Sequence, residues 1–266
     1  MIDIIPTEQR NTLKAFLDRK AFDFNTISFI ETDPISVPHK FSKKQDIEIA
    51  AFFSAVFAWG NRTTIIQKST ELMKLMDMSP YEFCLNHSKK DLKNLSGFKH
   101  RTFNETDLLY FIDFFQMHYS KSDSLEDAFS WNTKNSLAEE KVEGALNGFY
   151  HYFFSGEYAP SRTRKHIASP EKKSTCKRLN MFLRWMVRKD RKGVDFGIWK
   201  RISPSELICP IDLHVARVAK RFKILKRNAI DWKAAVELTT YLRQLDPIDP
   251  VKYDFALFGL GVMEKF

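Results

Sequence analysis

The sequence has 266 residues, 44% hydrophobic and 14% aromatic, with 24 Phe and 9 Gly. That length is long for one compact core and short for two independent domains. The formal charge is +9. Three well-separated cysteines, Cys84, Cys176 and Cys209, exclude a disulfide framework and a dense zinc or iron–sulfur cluster. No metal or cofactor is therefore expected, and the setting is read as reduced and cytoplasmic. MIDIIPTEQR lacks the basic and apolar regions of a signal peptide. The longest apolar run, Ile49 to Trp59, falls far short of a membrane span. A monomer with no membrane partner is expected.

The elements read as helices throughout. Thr7–Arg19 is the first. TDPISVPHKFSKK, with two prolines, reads as extended. In DIEIAAFFSAVFA the apolar residues are too dense and the run too long for a strand, so a buried helix is predicted to about Ala58. Gly60 breaks it, and a second helix runs to Met76. Ser79 and Pro80 open a short helix as N-cap and first helical residue. ETDLLYFIDFFQMHY and SLEDAFS follow, the latter with a Ser124–Asp127 capping pattern. LAEEKVEGALNGFYHYFF is another helix. SGEYAPSRTRKHIASPEKKST reads as a long polar connection. CKRLNMFLRWMVRK, IDLHVARVAKRF, DWKAAVELTTYLRQL and PVKYDFALFGLGV complete an all-α chain.

The charge is localised. Ser161 to Lys192 holds twelve Lys/Arg against Glu171 and Asp190, a net +10, leaving 30 cations against 31 acids elsewhere. A polyanion is the natural partner of such a segment, and nucleic acid is the commonest one.

Two residues carry candidate chemistry. Lys177 falls in the first turn of its helix, where the dipole disfavours a cation. Lys172, Lys173, Arg178 and Arg184 add positive charge nearby. Both effects favour the free amine that a Schiff-base nucleophile requires. On composition alone, phosphate binding or solvation is the favoured explanation of a lysine there. Asp212 precedes a stripe of Ile211, Val215, Val218 and Phe222, and capping alone accounts for an Asp at that place. His214 could serve as a base, although a lone His beside a core stripe is more often structural or surface-exposed.

Three stretches in order resemble the helix-hairpin-helix (HhH-GPD) DNA glycosylase superfamily, which includes endonuclease III. DIEIAAFFSAVFAWGNRTTIIQKSTELM resembles its buried helix, polar break and second helix. The resemblance makes Asn61, flanked by Trp59 and Arg62, the side chain that wedges into the duplex. KRLNMFL resembles the helix after the family's hairpin and puts Lys177 on the nucleophilic lysine. IDLHVARVAKRF resembles Val-Asp-Thr-His-Val-x-Arg-Val and puts Asp212 on the essential carboxylate. KRLNMFLRWMVRKD and DPVKYDFALFGLG also resemble an uncharacterised bacterial family of unknown function related to these glycosylases.

The resemblance implies a two-lobed all-α fold with a cleft between lobes. One lobe is 46–168; the other is 1–45 plus 169–266, within a single unit 1–266. It implies base excision repair on double-stranded DNA, by a nucleoid-associated protein. The base is flipped from the stack into a pocket. Lys177 attacks C1′, and Asp212 takes a proton or stabilises the developing positive charge. Lyase activity follows if Lys177 is the nucleophile. Arg62, Lys172, Lys173, Ser174, Arg178, Arg184 and Arg188 are the expected DNA contacts.

The sequence departs from the pattern in its hairpin. SPEKKSTCK has none of the glycines that let backbone amides approach a phosphate. Either the loop geometry differs, or the side chains of Lys172, Lys173 and Ser174 bind the phosphate. The 35-residue spacing of Lys177 and Asp212 exceeds that of endonuclease III, so RKDRKGVDFGIWKRISPSEL reads as an insertion. A non-catalytic nucleic-acid binder and a helical protein-interaction module remain the alternatives.

Overall fold

The computed structural model describes residues 7–129, 137–264 and 266. Its helices in chain order are α1 (Thr7–Phe24), α2 (Ile27–Glu31), α3 (Lys44–Phe57), α4 (Arg62–Leu75), α5 (Pro80–Asn86) and α6 (Lys89–Asn94), then α7 (Glu105–Tyr119), α8 (Ala138–Phe153), α9 (Lys177–Val187), α10 (Leu213–Arg221), α11 (Trp232–Leu245) and α12 (Tyr253–Val262). Strand among the described residues is one hairpin, β1 (Lys99–His100) antiparallel to β2 (Phe103–Asn104). The protein is predominantly helical.

α3 is the centre. Every residue from Asp46 to Phe57 is buried, as a helix apolar on all sides requires. α4, α5 and α9 pack on it. The Phe52 ring meets Phe111 and Phe115 of α7, Phe149 and Phe153 of α8, and Phe182 of α9, at 5.4–6.2 Å between centroids. Three of these contacts are edge-on, the geometry that the ring quadrupole favours. Six phenylalanines thus form one aromatic junction at which four helices meet.

α3 also carries a buried carboxylate. Glu48 is 0% exposed. It accepts hydrogen bonds from Tyr119 Oη (2.8 Å), Ser124 Oγ (2.7 Å), Leu125 N (2.9 Å) and Trp199 Nε1 (2.7 Å). Four donors compensate its desolvation, although burial still pushes its carboxyl above the ordinary range. These bonds tie α3 to α7, to the turn after α7 and to the loop after α9.

A second set of contacts joins α12 to α1 and α10. Two glycines of α12 permit the approach. A Cβ on Gly261 would stand 3.2 Å from His214, and one on Gly259 would stand 2.2 Å from the Phe24 ring. The buried apolar residues form one continuous cluster. α9, beyond the expected boundary at 168, packs directly on α3.

Several expectations need correction. TDPISVPHK is not extended: Pro34–Ser36 and Pro38–Lys40 are 3-10 turns. Proline suits the first position of a turn because its missing N–H has no partner there anyway. α1 continues past Arg19 to Phe24. The long connection before α9 contains turns at Ser161–His166 and Pro170–Lys172. SLEDAFS makes a 3-10 turn at Leu125–Ala128 that Ser124 caps through Glu126 N, not Asp127 N. Ser130 lies outside the described residues, as do residues 1–6. Ser79 precedes α5 without a capping hydrogen bond from its side chain. α2, α6 and the hairpin had no prediction.

Replacing Glu48 by Leu removes the common acceptor of four buried donors. Glu48→Leu is expected to lower unfolding stability by more than about 3 kcal/mol, read as a lower urea midpoint.

Candidate active site

A cleft of about 650 Å³ lies where the end of α3, the starts of α4, α9 and α10, and α12 converge. Lys177 and Asp212 both line it. Lys177 is the first residue of α9, and Asp212 is the N-cap of α10.

The Asp212 carboxylate divides its oxygens. Oδ1 accepts the N–H groups of His214 (2.9 Å) and Val215 (3.0 Å). Oδ2 stands 3.8 Å from Lys177 Nζ. Asp212 is both a cap and a charge facing the lysine. The two side chains are 27% and 24% exposed, so a ligand in the cleft can reach both. At 3.8 Å they pair by charge but exceed hydrogen-bond length. Each keeps capacity for a third partner.

Behind them lies a buried ionic network. Asp195 accepts from Arg184 Nε through Oδ1 (3.3 Å) and from Arg188 through Oδ2 (3.0 Å). Arg184 also pairs with Asp254. Arg188 also pairs with Asp190 (2.8 Å) and Asp249 (2.9 Å). The two arginines are 4% and 3% exposed. Arg184 and Arg188 are therefore not surface DNA contacts. Their donors face aspartates inside the protein, where an unpaired guanidinium would be prohibitively desolvated.

The remaining predicted residues divide. Arg62 and Arg178 line the cleft. Arg62 sits 5.0 Å above the Phe258 ring, and Arg178 donates to the Val56 carbonyl at 2.6 Å. Asn61 is exposed and caps α4 by accepting Thr64 N at 3.1 Å. Lys172 is held on the Tyr150 ring, 4.3 Å from its centroid, and bonds its hydroxyl. Lys173 is exposed. Ser174 Oγ accepts Cys176 N at 3.1 Å. His214 is exposed on the cleft rim.

The segment between Ser169 and α9 takes left-handed backbone without glycine. Lys173 has φ 59° and Cys176 φ 52°, both in the region that glycine enters at no steric cost. Cys176 is buried, which pushes its thiol up to about 12 and makes it a packing group rather than a nucleophile. α9 starts after Cys176 with no side-chain cap.

Sequence reasoning missed Asp33, Asp195 and Asp254. Asp254 stood out in one way, as a lone carboxylate in the apolar run of α12. Burial pushes its carboxyl up to about 6, while Arg184 and Lys177 act in the opposite sense. Among the described residues no group of three His, Cys, Asp or Glu could hold a metal, and no helix is long and apolar enough to cross a membrane.

The Asp254 shift makes a pH prediction. Its folded pKa, about 6, exceeds its ordinary value of 3.8, so between these limits the folded state holds more protons. Its contribution to stability is full below pH about 4 and is lost as pH rises through about 6. The destabilisation by Asp254→Asn is expected to be greatest below pH about 4 and smaller above pH about 6, measured by denaturant titration at several pH values.

Comparison with curated proteins and comparison with solved structures gave no significant match. One family model, described as protein of unknown function (DUF2400), matches residues 33–263. The match spans most of the sequence and covers the whole cleft except Phe29, so the chain belongs to the DUF2400 family.

Proposed function

We propose that this protein is a DNA-acting glycosylase with lyase chemistry, built on a two-lobed helix-hairpin-helix glycosylase fold whose cleft takes a flipped nucleotide. The observation that carries the reading is the Lys177–Asp212 pair, 3.8 Å apart and part-exposed in one cleft. Residues 35 apart in sequence come within ion-pair distance there, which supports a nucleophile and a carboxylate partner.

The chemistry runs in balanced steps. The Lys177 ammonium loses a proton to Asp212 or to solvent and becomes the neutral amine. The amine attacks C1′ of the deoxyribose. The glycosidic bond breaks, its electron pair leaves with the base, and the base takes up a proton. Asp212 stabilises the positive charge that develops at C1′. The new secondary ammonium loses a proton, the C1′–O4′ bond opens, and O4′ is protonated. The resulting iminium permits loss of a C2′ proton and elimination of the 3′ phosphate.

Several features suit DNA. Lys165, Lys172, Lys173, Lys189 and Arg191 are exposed and can replace counterions on phosphates. Exposed Asn61 suits the gap left by a flipped base. The uncapped start of α9 leaves N–H groups for an anion. One observation favours a second reading, DNA binding without turnover. The hairpin has no glycine, and its left-handed positions carry side chains that limit the approach of backbone to phosphate.

Borohydride trapping on a duplex with an abasic site separates the two. An adduct is expected with the native protein and none with Lys177→Ala. Asp212→Asn retains the cap and should melt within a few degrees of the native protein, yet trap about 10²–10⁴-fold more slowly. Native protein that binds the duplex but forms no adduct is the binder of the second reading. For binding itself, Lys172→Ala with Lys173→Ala should reduce the slope of log K against log salt by about 1–2, measured by fluorescence anisotropy.

A further inference from the structure

The cleft contains a carboxylate that the Lys177–Asp212 pair does not use. Asp33 is 6% exposed and lines the cleft wall. Its Oδ1 accepts Ile35 N at 3.1 Å, and Oδ2 accepts no hydrogen bond from any described residue. That oxygen is not sealed in the core: it stays open to the cleft, where it can accept a donor from a ligand. The nearby charges of Arg184, Arg62 and Lys177 act on this carboxyl against the effect of burial. They are long-range charges and donate no hydrogen bond to Oδ2.

The surrounding wall is aromatic. Phe29 meets Phe255 and Phe258 edge-on, at 5.4 and 6.4 Å between centroids. All three line the cleft, as does Trp59. Aromatic walls with a carboxylate could hold either an organic cation or a flat heterocycle. The charges decide between them. Arg62 already covers Phe258 at 5.0 Å, and Arg184 covers Phe255 at 4.3 Å. The lining holds Arg62, Lys177, Arg178 and Arg184 against Asp33, Asp212 and Asp254, four cations to three carboxylates, so a further cation adds to a positive excess. A neutral ring meets no such repulsion and can stack where a cation cannot. A cleft of about 650 Å³ is of the size that encloses small planar ligands.

We propose that Asp33 reads the N–H donor edge of a neutral, planar nitrogen heterocycle of nucleobase size, held against the aromatic wall of this cleft. This rests on the nucleic-acid reading of the same cleft and narrows it. Bases with an exocyclic amine are selected over rings that offer only acceptors along that edge.

Free-base binding to the full chain tests this. The probes are adenine and cytosine, each methylated at the nitrogen that bears the sugar. The controls are the corresponding purine and pyrimidinone without the exocyclic amine. Cyclohexylammonium, a non-planar cation, is the competitor, and ligand-observed NMR is the readout. At least one amino-bearing ring is expected to bind saturably and about tenfold or more tighter than its control, without displacement by cyclohexylammonium. Asp33→Asn, which can still accept Ile35 N, is expected to bring that preference below about twofold.

Four outcomes overturn the proposal. These are no saturable binding by either amino-bearing ring, equal binding of ring and control, displacement by cyclohexylammonium, or an undiminished preference in Asp33→Asn. The comparison of ring with control in the native protein needs no variant, so it stands even if Asp33→Asn misfolds. No arm requires Lys177 or a duplex. Covalent trapping without amine selectivity rejects the Asp33 reading alone. Amine selectivity without trapping rejects the covalent step alone.

Discussion

The buried pairing of Arg184 and Arg188 with aspartates is the constraint on which the cleft depends. Arg184 leaves α9 and meets Asp254 on α12. Asp195, in the loop after α9, bridges both arginines. Asp249, just before α12, takes the second arginine. One network therefore fixes α9 relative to α12 and pins the loop between α9 and α10. α12 in turn holds α10 through the contact at Gly261. The separation of Lys177 from Asp212 follows from this chain of contacts, because Lys177 opens α9 and Asp212 caps α10. Buried ion pairs are weak sources of net stability. Here their effect is geometric: two guanidiniums with fixed donor directions admit one arrangement of three elements.

This network also changes the meaning of the basic segment. The +10 charge of Ser161–Lys192 suggests a face made for a polyanion. Two of its cations are spent inside the protein, and Arg162 pairs with buried Asp107. Lys172 is drawn onto Tyr150. The compensating aspartates at 195, 249 and 254 lie outside the segment, so a window of sequence charge overstates the field at the surface. The face that remains is narrower, formed by exposed lysines and Arg191.

Much of the fold was legible because periodicity and caps are local. α3, α4, α7 and α8–α12 fall close to where their apolar stripes and breakers put them. Asp212 was legible as a cap, and it is one. What escaped prediction is non-local. Nothing near Asp195 in sequence distinguishes it from any exposed loop aspartate; its role comes from two arginines on the preceding helix. Asp33 resembled part of an extended Pro-rich segment, and only the folding of that segment into turns against α4 brings it to the cleft wall. The absence of glycine from SPEKKSTCK was a true observation with an incomplete consequence. Lys173 and Cys176 enter the left-handed region all the same, the latter with its side chain anchored in the core. The contacts of the buried Cys176 side chain offset the strain of its left-handed backbone.

The division of labour within Asp212 has a mechanical consequence. Its Oδ1 is fastened to the first backbone amides of α10, so its Oδ2 moves with the helix as one rigid body. Rotation or sliding of α10 over the small-residue seam at Gly261 would carry negative charge toward or away from the lysine without any side-chain rotation. The helix is then a lever for the electrostatics of the cleft. A ligand pressing on exposed Leu213 or His214, which share this first turn, would act on the pair through the backbone without touching either charged group.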